Sequence, residues 1–357
     1  MADSDVATRA PESDFESEGP AMDTVPLTTS SAPPEPASTT SNETSTPQIS
    51  SHCTTDRPLP SSSSKPTGDL SPINGIPCYI AKPSTYPSQP GKLLLLLTGG
   101  TGILSTNNQL QADAWAALGY VVVMPDQFNG DPAPNAANTA TSPSAETRMV
   151  GNEAGAQPQA HEPSIIERIK LGTAEVAKSF LIDMWLARHT AHKVMPILQS
   201  VLAGVREQFA DAVANGGGIY GVGYCFGAKY VLLLCGELAD SVVAGQKAPE
   251  DEQERGEVVH GPALKAGAVA HGTLVTREDL EAVRRPVVMV CCRDDPVFPE
   301  AIVVKGRESF EKNGVENKIQ FFDAPHGFAV VGDYESEEIK KDQKEAFELM
   351  SDFLEQR

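Results

Sequence analysis

The chain has 357 residues, 40% of them hydrophobic, and its 28 Lys and Arg against 48 Asp and Glu leave a net charge of −20 at pH 7. That balance argues against nucleic acid and against an anionic membrane surface as partners, because both are held by clustered Lys and Arg. The longest aliphatic run, Leu93 to Leu97, falls far short of the roughly 20 apolar residues of a membrane-spanning helix.

Residues 1–65 are rich in Ser, Thr, Pro and acid, as in Glu12-Ser13-Asp14-Phe15-Glu16 and Ser61 to Ser64. Such a stretch buries too little apolar surface to offset chain entropy, so it reads as a disordered, solvated tail. The start, Met-Ala-Asp-Ser-Asp, has neither the basic nor the apolar region of a secretory leader, and Glu355-Gln356-Arg357 forms no retention signal.

From residue 66 to 357 short β-type runs alternate with longer helical patterns. Strands are expected at 78–81, 92–97, 120–124, 218–223, 266–270, 287–290 and 318–322. Several are continuously apolar, as in strands of a parallel sheet covered on both faces. Helices are expected at 109–118, 174–192, 197–214, 228–235, 300–312 and 337–355. In the last of these, Ala346, Phe347, Met350, Phe353 and Leu354 form a stripe that would pack on the sheet. The alternation predicts one doubly wound, mostly parallel α/β domain over 66–357. Residues 129–165 and 236–262 read as insertions, the second with a solvated charge run at 249–254.

The most informative segment is Gly221-Val222-Gly223-Tyr224-Cys225-Phe226-Gly227-Ala228. A strand runs into Gly-x-Cys-x-Gly and then into a helix. A nucleophile on such a turn has strained backbone angles, and its segments approach so closely that side chains at 223 and 227 would clash. The turn sets Cys225 over the start of the next helix, where unpaired N–H groups favour a thiolate and then an oxyanion.

A nucleophile needs a base, and the base an orienting group. Asp294 and Asp295 follow the strand at 287–290, and both compete for the orienting role; His326 follows the strand at 318–322. Active sites of open α/β sheets gather at these strand ends, and the order Cys, Asp, His is that of α/β-hydrolases. His271, after the strand at 266–270, reads as structural at the same edge. The six cysteines are Cys53, Cys78, Cys225, Cys235, Cys291 and Cys292, with no CxxC pair and no zinc spacing. They are expected as thiols in a cytoplasmic protein, and Cys78, Cys235, Cys291 and Cys292 as core packing.

With Tyr79-Ile80-Ala81, Val123-Met124-Pro125-Asp126-Gln127-Phe128-Asn129-Gly130-Asp131, the Cys elbow, Asp295-Pro296-Val297-Phe298-Pro299 and Pro325-His326-Gly327-Phe328, the chain resembles the dienelactone hydrolase family from about Ile76 onward. The resemblance implies an α/β-hydrolase fold with a Cys225–His326–Asp295 triad, Asp295 rather than Asp294 matching the Asp-x-x-Phe-Pro pattern. It implies an oxyanion hole from the N–H of Phe226 and one in Thr98-Gly99-Gly100-Thr101-Gly102, at Gly100. Bacterial members that cleave dienelactone carry a carboxylate in that early loop and an Arg four residues after the His. Here the loop has no acid and the later position is Val330.

The reaction class therefore carries over more firmly than the substrate: a small lactone, ester or thioester cleaved through an acyl-enzyme, with no metal or organic cofactor. The protein is expected as a monomer or weak homo-oligomer. Three other readings stand beside this one. A glutamine-amidotransferase-like domain also uses Gly-x-Cys-x-Gly, but its acid closely follows the His, whereas Phe328 stands two residues after His326. A non-catalytic member would bind a ligand or partner in the same pocket. A third possibility is rearrangement of a biosynthetic intermediate without release of a simple acid.

Overall fold

In the computed structural model the described residues are 53–60, 65–134, 180–245 and 259–357. The fold grows from strands whose apolar runs divide between two layers. Successive side chains of a strand point to opposite faces. Thus in β3 (Lys92–Leu97) Leu93, Leu95 and Leu97 enter one hydrophobic cluster, and Leu94 and Leu96 the other. In β4 (Tyr120–Pro125) Val121 and Val123 go one way, Val122 and Met124 the other. A sheet filled in this way needs helices on both sides.

The remaining strands of the main sheet are β1 (Asp69–Ile73), β2 (Ile76–Ala81), β5 (Ile219–Tyr224), β8 (Ala266–Ala270), β9 (Val287–Cys292) and β10 (Asn317–Phe322). The eight strands lie in the order β1-β2-β4-β3-β5-β8-β9-β10. Only β2 runs against its neighbours; every other pairing is parallel. One face is covered by α1 (Thr106–Ala117) through Trp115, and by α8 (Glu337–Glu355) through Ala346, Leu349, Met350, Phe353 and Leu354. Phe347, expected in that stripe, is only partly buried and stacks on Trp115. The other face carries α2 (Ala191–Gln208), α3 (Ala210–Gly216), α4 (Phe226–Leu234), α6 (Arg277–Glu281) and α7 (Glu300–Lys312). No helix of the described residues is long and apolar enough to cross a membrane.

Several elements depart from the sequence reading for physical reasons. β1 is exposed at four of its five residues and contains Pro72, so no alternation marks it; it is an edge strand turned into β2 by Asn74 and Gly75, both at positive φ. The helix expected to start at 197 begins at Ala191 and runs through Pro196, because Val194, Met195, Leu198, Val201, Leu202 and Val205 form one buried face across the proline. It breaks at Phe209, and α3 follows. Of the helix expected at 174–192, residues 180–188 are helical and 174–179 lie outside the described residues. Within the second insertion, β6 (Leu238–Ala239) pairs with β7 (Val259–His260), and the short helix α5 (Asp240–Ala244) follows β6. The charge run at 249–254 and most of the first insertion, 135–165, lie outside the described residues. So does most of the tail expected at 1–65; but residues 53–60, counted with it, pack against the domain, with Cys53 and Thr54 buried.

Candidate active site

The site sits where β3, β5, β8, β9 and β10 end. β5 delivers Cys225 onto α4 through a turn in which the cysteine adopts φ 52° and ψ −115°. Positive φ at a non-glycine residue is strained and is held only by a tight surround. Here Cys225 N–H donates to the Ala270 carbonyl (3.1 Å), and Gly227 N–H donates to the Thr98 carbonyl (3.0 Å). A Cβ on Gly223 would come within 2.6 Å of the Gly227 carbonyl oxygen, so a side chain there is excluded by backbone. Phe226 opens α4, and its N–H is one of the first-turn donors that a helix leaves without an intrahelical partner. Across the gap, Gly99 touches Cys225: a Cβ there would lie 3.2 Å from Cys225 Cβ and 3.7 Å from its sulfur.

The imidazole and its acid arrive on the loops after β10 and β9. Asp295 and His326 are only 5% and 6% exposed, and His326 Nδ1 lies 2.7 Å from Asp295 Oδ2. The other carboxylate oxygen of Asp295 accepts from Val297 N–H (2.9 Å). Asp294 is exposed, at φ 51°. Between the imidazole and the sulfur stands Thr273, on the loop after β8. Its hydroxyl is 3.3 Å from His326 Nε2 and 3.2 Å from Cys225 Sγ, and its N–H donates to the Cys225 carbonyl (3.1 Å). Cys225, Thr273, His326 and Asp295 thus form one buried chain.

Burial by itself pushes the Cys225 thiol up. Hydrogen bonding from Cys53, contact with His326 and its positive charge, and Thr273 outweigh it and hold the thiol well below its ordinary range. For His326, burial favours the neutral ring, but the bond to Asp295 and the bond and charge of Cys225 raise it to about 9. Both shifts run toward the charged forms, thiolate and imidazolium. Burial has the opposite outcome at Cys78, Cys235 and Cys291, whose thiols are pushed up to about 12, and Cys292 is also raised. All four are packed in the core.

Two groups at the site carry no motif in the sequence. Cys53 is the first described residue of a strap, 53–60, laid across the strand ends. Ser105 Oγ donates to Asp56 (2.7 Å), Asn107 Nδ2 donates to the Arg57 carbonyl (2.9 Å), and Asp333 N–H donates to the Pro58 carbonyl (2.7 Å). The Arg57 guanidinium lies over the Tyr334 ring. The strap sets Cys53 beside Cys225: its sulfur, the Cys225 sulfur and a His326 ring nitrogen all lie within 4.8 Å of one another. It also sets the Cys53 carbonyl against Gly100, where an added Cβ would lie 2.6 Å away. Thr273, the second such group, sits in a loop without any recognisable pattern. Its place is set by Lys229, which donates to the Leu274 carbonyl (2.9 Å) and pairs with Asp279.

His271 sits at φ 38° with its ring 5.0 Å from that of His326. It is 1% exposed, and neither ring nitrogen has a protein partner among the described residues. Burial first, then the nearby charge of His326, keeps it neutral. His271, Cys53, Cys225, Gly99, Arg57 and Val330 are among the walls of a cavity of about 40 Å³ at the sulfur.

A mixed sheet wound on both faces, with a cysteine elbow, an Asp-bound histidine and their order along the chain, defines the α/β-hydrolase class. The chain belongs to the dienelactone hydrolase family, whose model matches residues 76–357. It is 27% identical over 264 residues to Hydrolase pyvD of Aspergillus violaceofuscus, covering 74% of this chain and 79% of that one. It is 25% identical over 287 residues to Hydrolase tropI of Talaromyces stipitatus, covering 80% and 88%. A crystal structure from Klebsiella pneumoniae matches at TM-score 0.52 and 17% identity over 82% of this chain and 98% of its own, a likeness of fold.

Proposed function

We propose that the protein hydrolyses a lactone, ester or thioester by covalent catalysis, with Cys225 as nucleophile, His326 as acid and base, and Asp295 holding the imidazole. The observation that carries this reading is the buried chain from Cys225 Sγ through Thr273 to His326 and Asp295 at a strained elbow.

In the resting pair the Nδ1–H of His326 donates to Asp295, the Nε2–H donates to the Thr273 hydroxyl, and that hydroxyl donates to the thiolate. Cys225 Sγ attacks the substrate carbonyl carbon. The oxyanion is met by the N–H groups of Phe226 and Gly100, each such donor contributing about 3 kcal/mol in the transition state. Collapse breaks the bond to the leaving oxygen or sulfur, which takes the proton from His326 Nε2. His326, now neutral, accepts a proton from water; the hydroxide attacks the thioester, and Cys225 leaves as thiolate. Gly99, Gly223 and Gly227 supply close approach rather than chemistry.

Val330 lines the cavity where the family resemblance puts an Arg, which favours a substrate held by something other than a carboxylate at that position. Thr273 and Cys53 stand beside the sulfur in a site whose early loop carries no acid.

The test is a panel of aryl esters, lactones and thioesters with Cys225→Ala. Aryl-ester turnover is expected to fall by at least about a thousandfold with the thermal unfolding curve retained. Turnover equal to that of the unsubstituted protein would remove Cys225 from the reaction.

A further inference from the structure

Cys53 is a buried thiol beside Cys225 that takes no covalent step in the proposed hydrolysis. Its sulfur and that of Cys225 lie within 4.8 Å, and both touch the Thr273 hydroxyl, at 3.8 and 3.2 Å. A disulfide needs about 2.05 Å between sulfurs, so closure asks for a shift of at most about 3 Å. The two cysteines are unequal in how they are held. Cys225 is fixed by β5 and α4. Cys53 rides on a strap outside the sheet, which is anchored downstream, through the side chain of Asp56 and the carbonyls of Arg57 and Pro58. Both cysteines line the cavity of about 40 Å³, which admits a molecule of two oxygen atoms. The remaining four cysteines lie in β2, β9 and the end of α4, buried in the core.

We propose that Cys53 is the resolving partner of Cys225, so that hydrogen peroxide converts the site into a reversible Cys53–Cys225 disulfide. The Cys225 sulfur attacks one peroxide oxygen; the O–O bond breaks, giving Cys225 sulfenic acid and a hydroxide that takes the His326 proton as water. The Cys53 sulfur then attacks Cys225 Sγ; the S–O bond breaks, and the departing hydroxide takes the Cys53 proton as a second water. Two thiols and one peroxide give one disulfide and two waters, the sulfurs losing two electrons and the peroxide gaining them. Without a resolving thiol the sulfenic acid is free to take up further oxygen, a step that dithiols do not reverse. The inference rests on Cys225 being the reactive thiol of the proposed hydrolase.

The experiment treats the full chain with a several-fold molar excess of hydrogen peroxide, alkylates remaining thiols, digests without reductant and maps linked peptides by mass. The expected result is a peptide pair joined through residues 53 and 225, with alkylation of Cys225 lost and then restored by dithiothreitol. Hydrolysis of an aryl ester is measured on the same samples and should fall and recover with the linkage. In Cys53→Ser, compared with its own untreated sample, peroxide should add two oxygens to Cys225, and dithiothreitol should restore neither alkylation nor turnover. Oxygen added to Cys225 in the unsubstituted chain, without the 53–225 link, would overturn the proposal; so would a link from Cys225 to any other cysteine. The linkage map is read without turnover, so a protein that forms the disulfide but cleaves no ester would sink the hydrolase reading alone.

Discussion

Asp295→Asn keeps the shape of the residue that His326 leans on and removes its charge. That charge and bond help hold His326 at about 9 against burial, so the imidazolium of the intact protein is lost only as the pH rises through that value. Without the carboxylate the proton leaves earlier. The alkaline limb of the kcat/KM profile should move down by about one pH unit or more, and an unmoved limb would separate Asp295 from the working histidine. At this scale Cys225, Asp295 and His326 were legible, each behind a strand and each inside a short motif. The choice between the two adjacent aspartates rested on the family pattern, and their side chains differ plainly in space, one buried on the imidazole and one exposed. Thr273 and Cys53 were not legible. A hydroxyl in a loop and a thiol in a Ser/Thr-rich stretch gain meaning only from what the fold sets beside them.

The strand–turn–helix unit around Cys225 works because backbone fills the space that side chains would need. Gly223→Ala puts a Cβ against the Gly227 carbonyl and the backbone of Ala228, which neither partner can vacate. The variant should lose about 1–3 kcal/mol of stability, read as a lowered thermal midpoint, and its turnover should fall with the displaced sulfur. A midpoint equal to that of the unsubstituted protein would mean that the elbow is looser than its contacts indicate. Elements that are apolar throughout, such as β3 and β4, were read from composition because both their faces are buried. β1 escaped because an exposed edge strand needs no apolar pattern. The start of α2 escaped because Pro196 reads as a helix breaker, while the buried face it interrupts holds the helix together.

For the whole molecule, a net charge of −20 disfavours the approach of an anion, an effect screened over about 8 Å at 0.15 M salt. An ester carrying a carboxylate should therefore gain kcat/KM as salt rises toward that level, while a neutral aryl ester stays flat. Equal, flat responses would show that local groups such as Arg57 override the global field. The doubly wound architecture was legible because the alternation of elements leaves few other arrangements. What composition hid was the work of the stretch before residue 66, since a Ser/Thr/Pro-rich segment looks alike whether it wanders or docks. That concealment has a practical consequence. The family match opens at residue 76, yet one wall of the cavity comes from residues 53–57. A chain trimmed to the family boundary would lose the edge strand, uncover the flank of Cys225 and leave Asn107 with one of its two carbonyl acceptors. Activity data from so shortened a protein would describe a different catalyst.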